Sequence, residues 1–128
     1  MIGIDKAKLL HNKKDTKTSE INSACAKAIT SGFTSSALGT QHSYQSEQTD
    51  KLNLIGVVAA GTDDYFKCGV TDANDNVTWS YEMHTIAQLQ QVLGDGKVHK
   101  QTLLQKANTL KAQITGATTV KDVEAIVW

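Results

Sequence analysis

The stretch from Phe66 to Met83, FKCGVTDANDNVTWSYEM, decides how the rest of the chain is read. Phe66, Cys68 and Val70 alternate with Lys67, Gly69 and Thr71; after a break, Val77, Trp79, Tyr81 and Met83 alternate with Thr78, Ser80 and Glu82. A period of two puts alternate side chains on opposite faces of a strand, so the two runs are expected to form a half-buried antiparallel hairpin. Between them Asp72, Ala73, Asn74, Asp75 and Asn76 have the composition of a turn, because Asn and Asp tolerate positive φ and hydrogen-bond their own backbone.

Downstream the period becomes helical. Thr85 and Gln88 make a capping box that opens a helix carrying Ile86, Leu89 and Leu93. Leu103, Ala107, Leu110 and Ile114 continue the same spacing of three and four if Gly96 and Lys100 are accepted into the seam. The unbroken register favours one long helix, although the interior Gly94 and Gly96 cost it roughly 2 kcal/mol relative to Ala; a break at Gly94-Asp95-Gly96 is the competing reading. Gly116 ends the helix, Thr118 or Thr119 caps another, and Val120, Val123, Ile126 and Trp128 follow. The Trp128 indole is expected to pack on the domain or on a partner, since its large apolar body gains nothing in water.

Upstream, Ser46 offers an N-cap to a helix from Glu47 to Ala60 with Leu52, Ile55, Val58 and Ala59 on one face, Asp50 favourably near the positive helix end, and a stop at Gly61. The Ser, Thr and Gly residues between Phe33 and Ser46 suggest a short ragged hairpin turning at Gly39. Ile21, Ala24, Cys25, Ala28 and Ile29 share a helical face, which gives a helix from about Ser19 to Ser31, capped by Thr18 or Ser19 and ended by Gly32. Residues 1–17 mix Ile2, Ile4, Leu9 and Leu10 with Lys6, Lys8, Lys13 and Lys14 and show no clear cap or stop. They are expected as an N-terminal arm, either frayed or ordered on a neighbouring subunit. Residues 18–128 are expected as a single α+β domain, with small antiparallel hairpin sheets packed against three to four helices that include a long C-terminal one.

Composition narrows the function. Hydrophobic residues make up 40% of the 128-residue chain and aromatics only 5%, so the core is expected to rest mainly on Ala, Val, Leu and Ile. The chain has no Arg; its thirteen cations are all Lys and are balanced by thirteen acids. Without the guanidinium fork, and without a net field, nucleic acid and phosphoryl-transfer substrates are disfavoured. No run approaches the roughly 20 apolar residues of a membrane span, and the N-terminus lacks an apolar signal core, so the chain is expected in the cytosol or in a particle assembled there. Cys25 and Cys68 fit buried thiols better than a disulfide framework.

His11, His42, His84 and His99 lie in different expected elements without metal-ligand spacing. Asp72, Asn74 and Asn76 imitate the start of a calcium loop, but Gly is missing at its sixth position and Met83 stands where the bidentate Glu belongs. Asp63 and Asp64 are adjacent and point apart in an extended segment, and no serine elbow or glycine-rich phosphate loop is found. The expectation is a protein without catalytic residues, metal or cofactor.

The order of pieces resembles a family: a domain of unknown function found at the C-termini of bacteriophage tail-fibre and tail-fibre-assembly proteins. The resemblance covers roughly residues 18–128 and rests on Glu20-Ile21-Asn22 through Ser31-Gly32-Phe33, on Tyr44-Gln45-Ser46 with Gln48, Asn53 and Gly56, on Thr71-Asp72-Ala73-Asn74, and on Lys106-Ala107 with Leu110-Lys111. The ending Ala117-Thr118-Thr119-Val120-Lys121-Asp122-Val123-Glu124-Ala125-Ile126-Val127-Trp128 is its most specific part. Family members often carry Trp in or beside the first hairpin strand, where this chain has Tyr65-Phe66. The resemblance implies a phage or prophage source and a role in host attachment.

The resulting expectation is a structural component of a tailed-phage virion, tail fibre or baseplate associated, that binds other tail or baseplate proteins and forms a homo-oligomer, a trimer as first guess. It would reside in the virion, assembled in the host bacterial cytoplasm, and bind neither nucleic acid nor membrane. An assembly chaperone left out of the finished particle is the alternative, and a host-receptor binder a lesser one. Candidate partner-binding residues are Ile2, Ile4, Leu9 and Leu10 on the arm, Leu103, Ala107, Leu110 and Ile114 on the long helix, and Trp128. The bland reading of the helical stripe, favoured here, is that it covers other helices of the same subunit.

Overall fold

The computed structural model describes residues 5–128, so Ile2 and Ile4 of the expected arm lie outside the described residues. The elements run α1 (Lys6–Thr30), β1 (Phe33–Ser35), β2 (His42–Tyr44), α2 (Gln48–Ala60), β3 (Asp64–Thr71), β4 (Val77–His84), α3 (Ile86–Gly116) and α4 (Val120–Glu124). This is the α+β fold expected, with the long C-terminal helix. Among the described residues no helix is long and apolar enough to cross a membrane.

Both expected hairpins form, and they join into one antiparallel sheet in the order β1-β2-β3-β4, leaving β4 along an open edge. The two meet where Ser43 pairs with Gly69. The loop between β3 and β4 is built by Asp72, whose Oδ1 accepts from the backbone N–H groups of Asn74 at 2.8 Å and Asn76 at 3.0 Å. Asp75 takes the left-handed conformation there, with φ 61°, as Asn and Asp in tight turns do.

The chain divides into two compact units. One spans Ile29–Gln101 and holds the sheet, α2 and the first part of α3. Its core gathers Tyr44, Leu54, Cys68, Leu89 and Val92, with Phe33, Phe66, Val57, Val58 and Leu93 packed around them. The other unit is made from both ends of the chain, up to Ala28 and from Thr102 onward. Here Ile21 and Cys25 of α1, Ala107 and Ile114 of α3 and Val123 of α4 are buried. The Cys25 thiol reaches the Leu103 carbonyl at 3.6 Å, Lys14 Nζ donates to the Thr115 carbonyl at 2.9 Å, and Lys13 pairs with Glu124 at 3.6 Å.

Several local expectations are corrected. Helix α1 begins at Lys6 and not near Ser19, so most of the expected arm is helical. Its first turn is capped by Asp5, whose Oδ1 accepts from the Ala7 N–H at 3.0 Å and whose carbonyl accepts from the Leu9 N–H at 3.0 Å. Residues such as Lys13 and Lys14 carry no helical pattern of apolar side chains, and their contacts are those to Thr115 and Glu124 just given. At α2 the N-cap is Glu47, which exchanges side-chain bonds with Asp50 in a capping box. Ser46 instead ties the preceding turn, accepting from the Gly32 N–H at 2.8 Å and donating to the Ile29 carbonyl at 2.6 Å. Gly32 has φ 98°, and a Cβ there would come within 2.9 Å of the Tyr44 carbonyl oxygen, so a side chain is excluded twice over.

The buried face of α2 also differs. Leu54 points into the core, whereas Leu52 and Ile55 are 61% and 50% exposed. The segment Leu52-Asn53-Leu54-Ile55-Gly56-Val57-Val58-Ala59-Ala60 is apolar nearly all round, so its periodicity does not select a face. The long-helix reading of α3 holds across Gly94-Asp95-Gly96. Thr85 Oγ1 accepts from Gln88 N at 3.1 Å and Gln88 Oε1 accepts from Thr85 N at 2.8 Å, the capping box expected. Gly96 lies against the Phe33 ring, and Asp95 accepts a 2.6 Å hydrogen bond from Ser35 Oγ.

Candidate functional site

Register determines what the hairpin exposes. Residues directly opposite on antiparallel strands project from the same face. Phe66 faces Glu82, Cys68 faces Ser80 and Asp64 faces His84, and this is the core side, where Cys68 and His84 are buried. Tyr65 faces Met83, Lys67 faces Tyr81, Gly69 faces Trp79 and Thr71 faces Val77 on the other side. The apolar sets of the two strands therefore lie on opposite faces. The hairpin expected to be half-buried is buried through β3: Phe66 and Cys68 turn to the core while Val70 stays exposed, and β4 turns Val77, Trp79, Tyr81 and Met83 outward and is exposed along its length up to His84.

That outer face is rich in aromatic surface. Tyr65 is 60% exposed, Tyr81 68%, Met83 48% and Trp79 38%. Trp79 lies over Gly69, where an added Cβ would stand 3.0 Å from the indole and 2.5 Å from the Val77 methyl. Lys67 Nζ stands 5.6 Å from the Trp79 ring centroid, within reach of a cation–π contact. Tyr65, Lys67 and Tyr81 continue into a groove of about 510 Å³ whose far wall includes Leu52, Asn53 and Gly56 of α2. Among the described residues no strand pairs with the outer edge of β4, so the face is an apolar aromatic platform beside a strand edge.

The strongest buried polar cluster lies on the core side of the same sheet. His84 Nδ1 is 2.7 Å from the Glu82 carbonyl and Nε2 is 2.8 Å from the Tyr44 hydroxyl. A carbonyl oxygen only accepts, so Nδ1 carries the proton, and in the neutral ring Nε2 accepts from the tyrosine. Burial first, then the neighbouring Cys68 and Asp95, push the Tyr44 hydroxyl well above its ordinary value; burial, then Glu82, pushes the Cys68 thiol up. Both residues are buried, and their mutual bond makes the couple a satisfied polar element of the core. Among the described residues no three His, Cys, Asp or Glu side chains gather into a metal-holding group.

The partner-binding candidates fall in different places. Ala107 and Ile114 are buried and Leu103 and Leu110 half-buried, in the unit formed by the two chain ends. Leu9 is exposed and Leu10 half-buried; with Lys6, Ala7, Thr118, Thr119 and Val120 they line a shallow groove of about 450 Å³. The half-buried Trp128 indole lies 4.2 Å from Lys106 Nζ. The outer hairpin face was not singled out from the sequence, although the signal was present: Phe66/Cys68 and Trp79/Tyr81 share a face only in a register that a five-residue turn need not give.

A family model described as a domain of unknown function, DUF4376, matches residues 12–127. This chain is a member of that family. No curated protein and no solved structure matches it. The DUF4376 match takes in both units of the fold, including the part of α1 from residue 12 that precedes the expected domain start.

Proposed function

We propose that this DUF4376 protein is a structural component of a tailed-phage virion, associated with the tail fibre or baseplate, that works by binding other tail proteins. Two considerations support the reading. The chain's pattern resembles domains that end phage tail-fibre and fibre-assembly proteins, and the fold carries an uncovered aromatic sheet face. The second carries the argument: Tyr65, Trp79, Tyr81 and Met83 stand on one exposed face beside the open β4 edge. Exposed Tyr and Trp are the side chains most enriched where proteins bind each other, and an open strand edge accepts an added strand. On this reading the protein is not an enzyme, needs no cofactor, resides in the virion and assembles as a homo-oligomer, with threefold symmetry as the first expectation.

A phage carrying this gene tests the proposal directly. Mass spectrometry of purified virions should find the chain, and Trp79→Ser with Tyr81→Ser should lower its incorporation while leaving the isolated protein folded. Light scattering behind size exclusion should give a trimer mass. Presence during assembly and absence from finished particles would replace the structural role with that of a fibre-assembly chaperone. Full incorporation of the doubly substituted chain would remove the sheet face as the contact.

A further inference from the structure

A half-open cavity of about 320 Å³ lies within the Ile29–Gln101 unit, bounded by α2, the start of β1 and the middle of α3. Phe33, Leu54, Ile55 and Leu93 supply its apolar lining, and Lys51, Lys97, Lys100 and His99 supply its polar atoms. The volume is at the lower end of the range used for small-molecule sites, which are mostly apolar with a few convergent polar groups.

The fold itself does not account for two of its features. His99 Nε2 is shielded from solvent and has no hydrogen-bond partner, although buried polar atoms nearly always have one. Lys51 and Lys100 line the same cavity, and burial, then the Lys100 charge, lowers the Lys51 pKa below its ordinary value. Among the described residues the salt bridges join other side chains, and neither lysine takes part in one. Two cations beside an apolar cavity, together with an unsatisfied ring nitrogen on one of its lining residues, are relieved by one anionic group that accepts hydrogen bonds. A doubly charged phosphate fits poorly, because nearly all of the wall is apolar and leaves its remaining oxygens unpaired.

We propose that this cavity binds a small carboxylic acid, in its ionised form, with an aliphatic or aromatic body. The carboxylate accepts from Lys51, Lys100 and His99 Nε2, and the body lies on Phe33, Leu54 and Leu93. The proposal is independent of the virion role and of the outer sheet face.

Titration of the isotope-labelled full chain with decanoate, followed by nuclear magnetic resonance and calorimetry, tests it. Saturable shifts are expected at the His99 ring nitrogens, the Lys51 side chain and the Leu54 and Leu93 methyls, with decanol binding at least about tenfold more weakly. Lys51→Gln with Lys100→Gln should weaken decanoate by about tenfold and leave decanol unchanged. Absence of saturable shifts in the unsubstituted chain would overturn the site, as would equal affinity for decanoate and decanol or shifts confined to Tyr65, Trp79 and Tyr81.

Discussion

Gly94 and Gly96 sit two residues apart in the same helix, and substituting each by Ala should move stability in opposite directions. Glycine in a helix interior is less favourable than Ala by about 1 kcal/mol, because it surrenders more backbone freedom on folding. At Gly94 an added methyl meets nothing within 4 Å, so Gly94→Ala should stabilise by about 1 kcal/mol. At Gly96 the same gain is opposed, since the new Cβ would lie 2.9 Å from Phe33 Cζ and 3.1 Å from Cε1. Phe33 cannot swing aside freely: its ring stacks on Tyr44 at 5.7 Å between centroids and faces His99 at 6.2 Å. Overpacking of this kind costs about 1–3 kcal/mol, which leaves Gly96→Ala destabilising by up to about 2 kcal/mol. Urea unfolding followed by far-ultraviolet circular dichroism measures both, and Gly96→Ala should turn stabilising when Phe33 is replaced by Leu. Equal stabilisation by both substitutions would show that Phe33 does not press on α3. Destabilisation by Gly94→Ala would show that the Gly94-Asp95-Gly96 segment is not helical.

Three further outcomes are expected. Tyr44→Phe removes the hydroxyl bound to His84 Nε2 at 2.8 Å and leaves a sealed nitrogen unpaired, costing about 1–3 kcal/mol in the same unfolding assay; a neutral result would mean that water reaches His84. Because Tyr44 and Cys68 hold their protons above their ordinary values of about 10 and about 9, their contribution to stability is complete below about pH 9 and declines as the pH rises from there. Unfolding free energy measured at successive alkaline pH values should fall, and fall less steeply in Tyr44→Phe; a flat profile would contradict the burial of both groups. Asp72→Ala frees the Asn74 and Asn76 N–H groups, so their amides should exchange faster with solvent while stability drops by about 1 kcal/mol; unchanged exchange would place the turn's organisation in the backbone alone.

Local signals in the sequence carried much of the architecture. Alternation over Phe66–Val70 and Val77–Met83 was enough for two strands, the Asp and Asn residues between them for their turn, and Thr85 with Gln88 for the start of α3. These are patterns whose cause lies within a few residues of their effect. Where a contact from far along the chain orders a segment, the pattern was silent or misleading. The N-terminal part of α1 carries no long apolar stripe and meets the other end of the chain through Lys14 on Thr115 and Lys13 on Glu124, and α2, apolar nearly all round, has its face chosen by the sheet.

The outer hairpin surface shows the division most clearly. Sequence alone determined that Trp79, Tyr81 and Met83 would share a face, because successive side chains of any strand point opposite ways. Which face they share with respect to Phe66 and Cys68 depends on cross-strand register, and the structure pairs Trp79 with Gly69 and Cys68 with Ser80. A slip of one residue would have put the aromatic set on the side of Phe66 and Cys68. The tertiary structure thus decided that the strand's largest side chains lie at the surface, and the gathering of Lys51, His99 and Lys100 around one cavity arises likewise from bringing α2 and α3, far apart in the chain, to its walls.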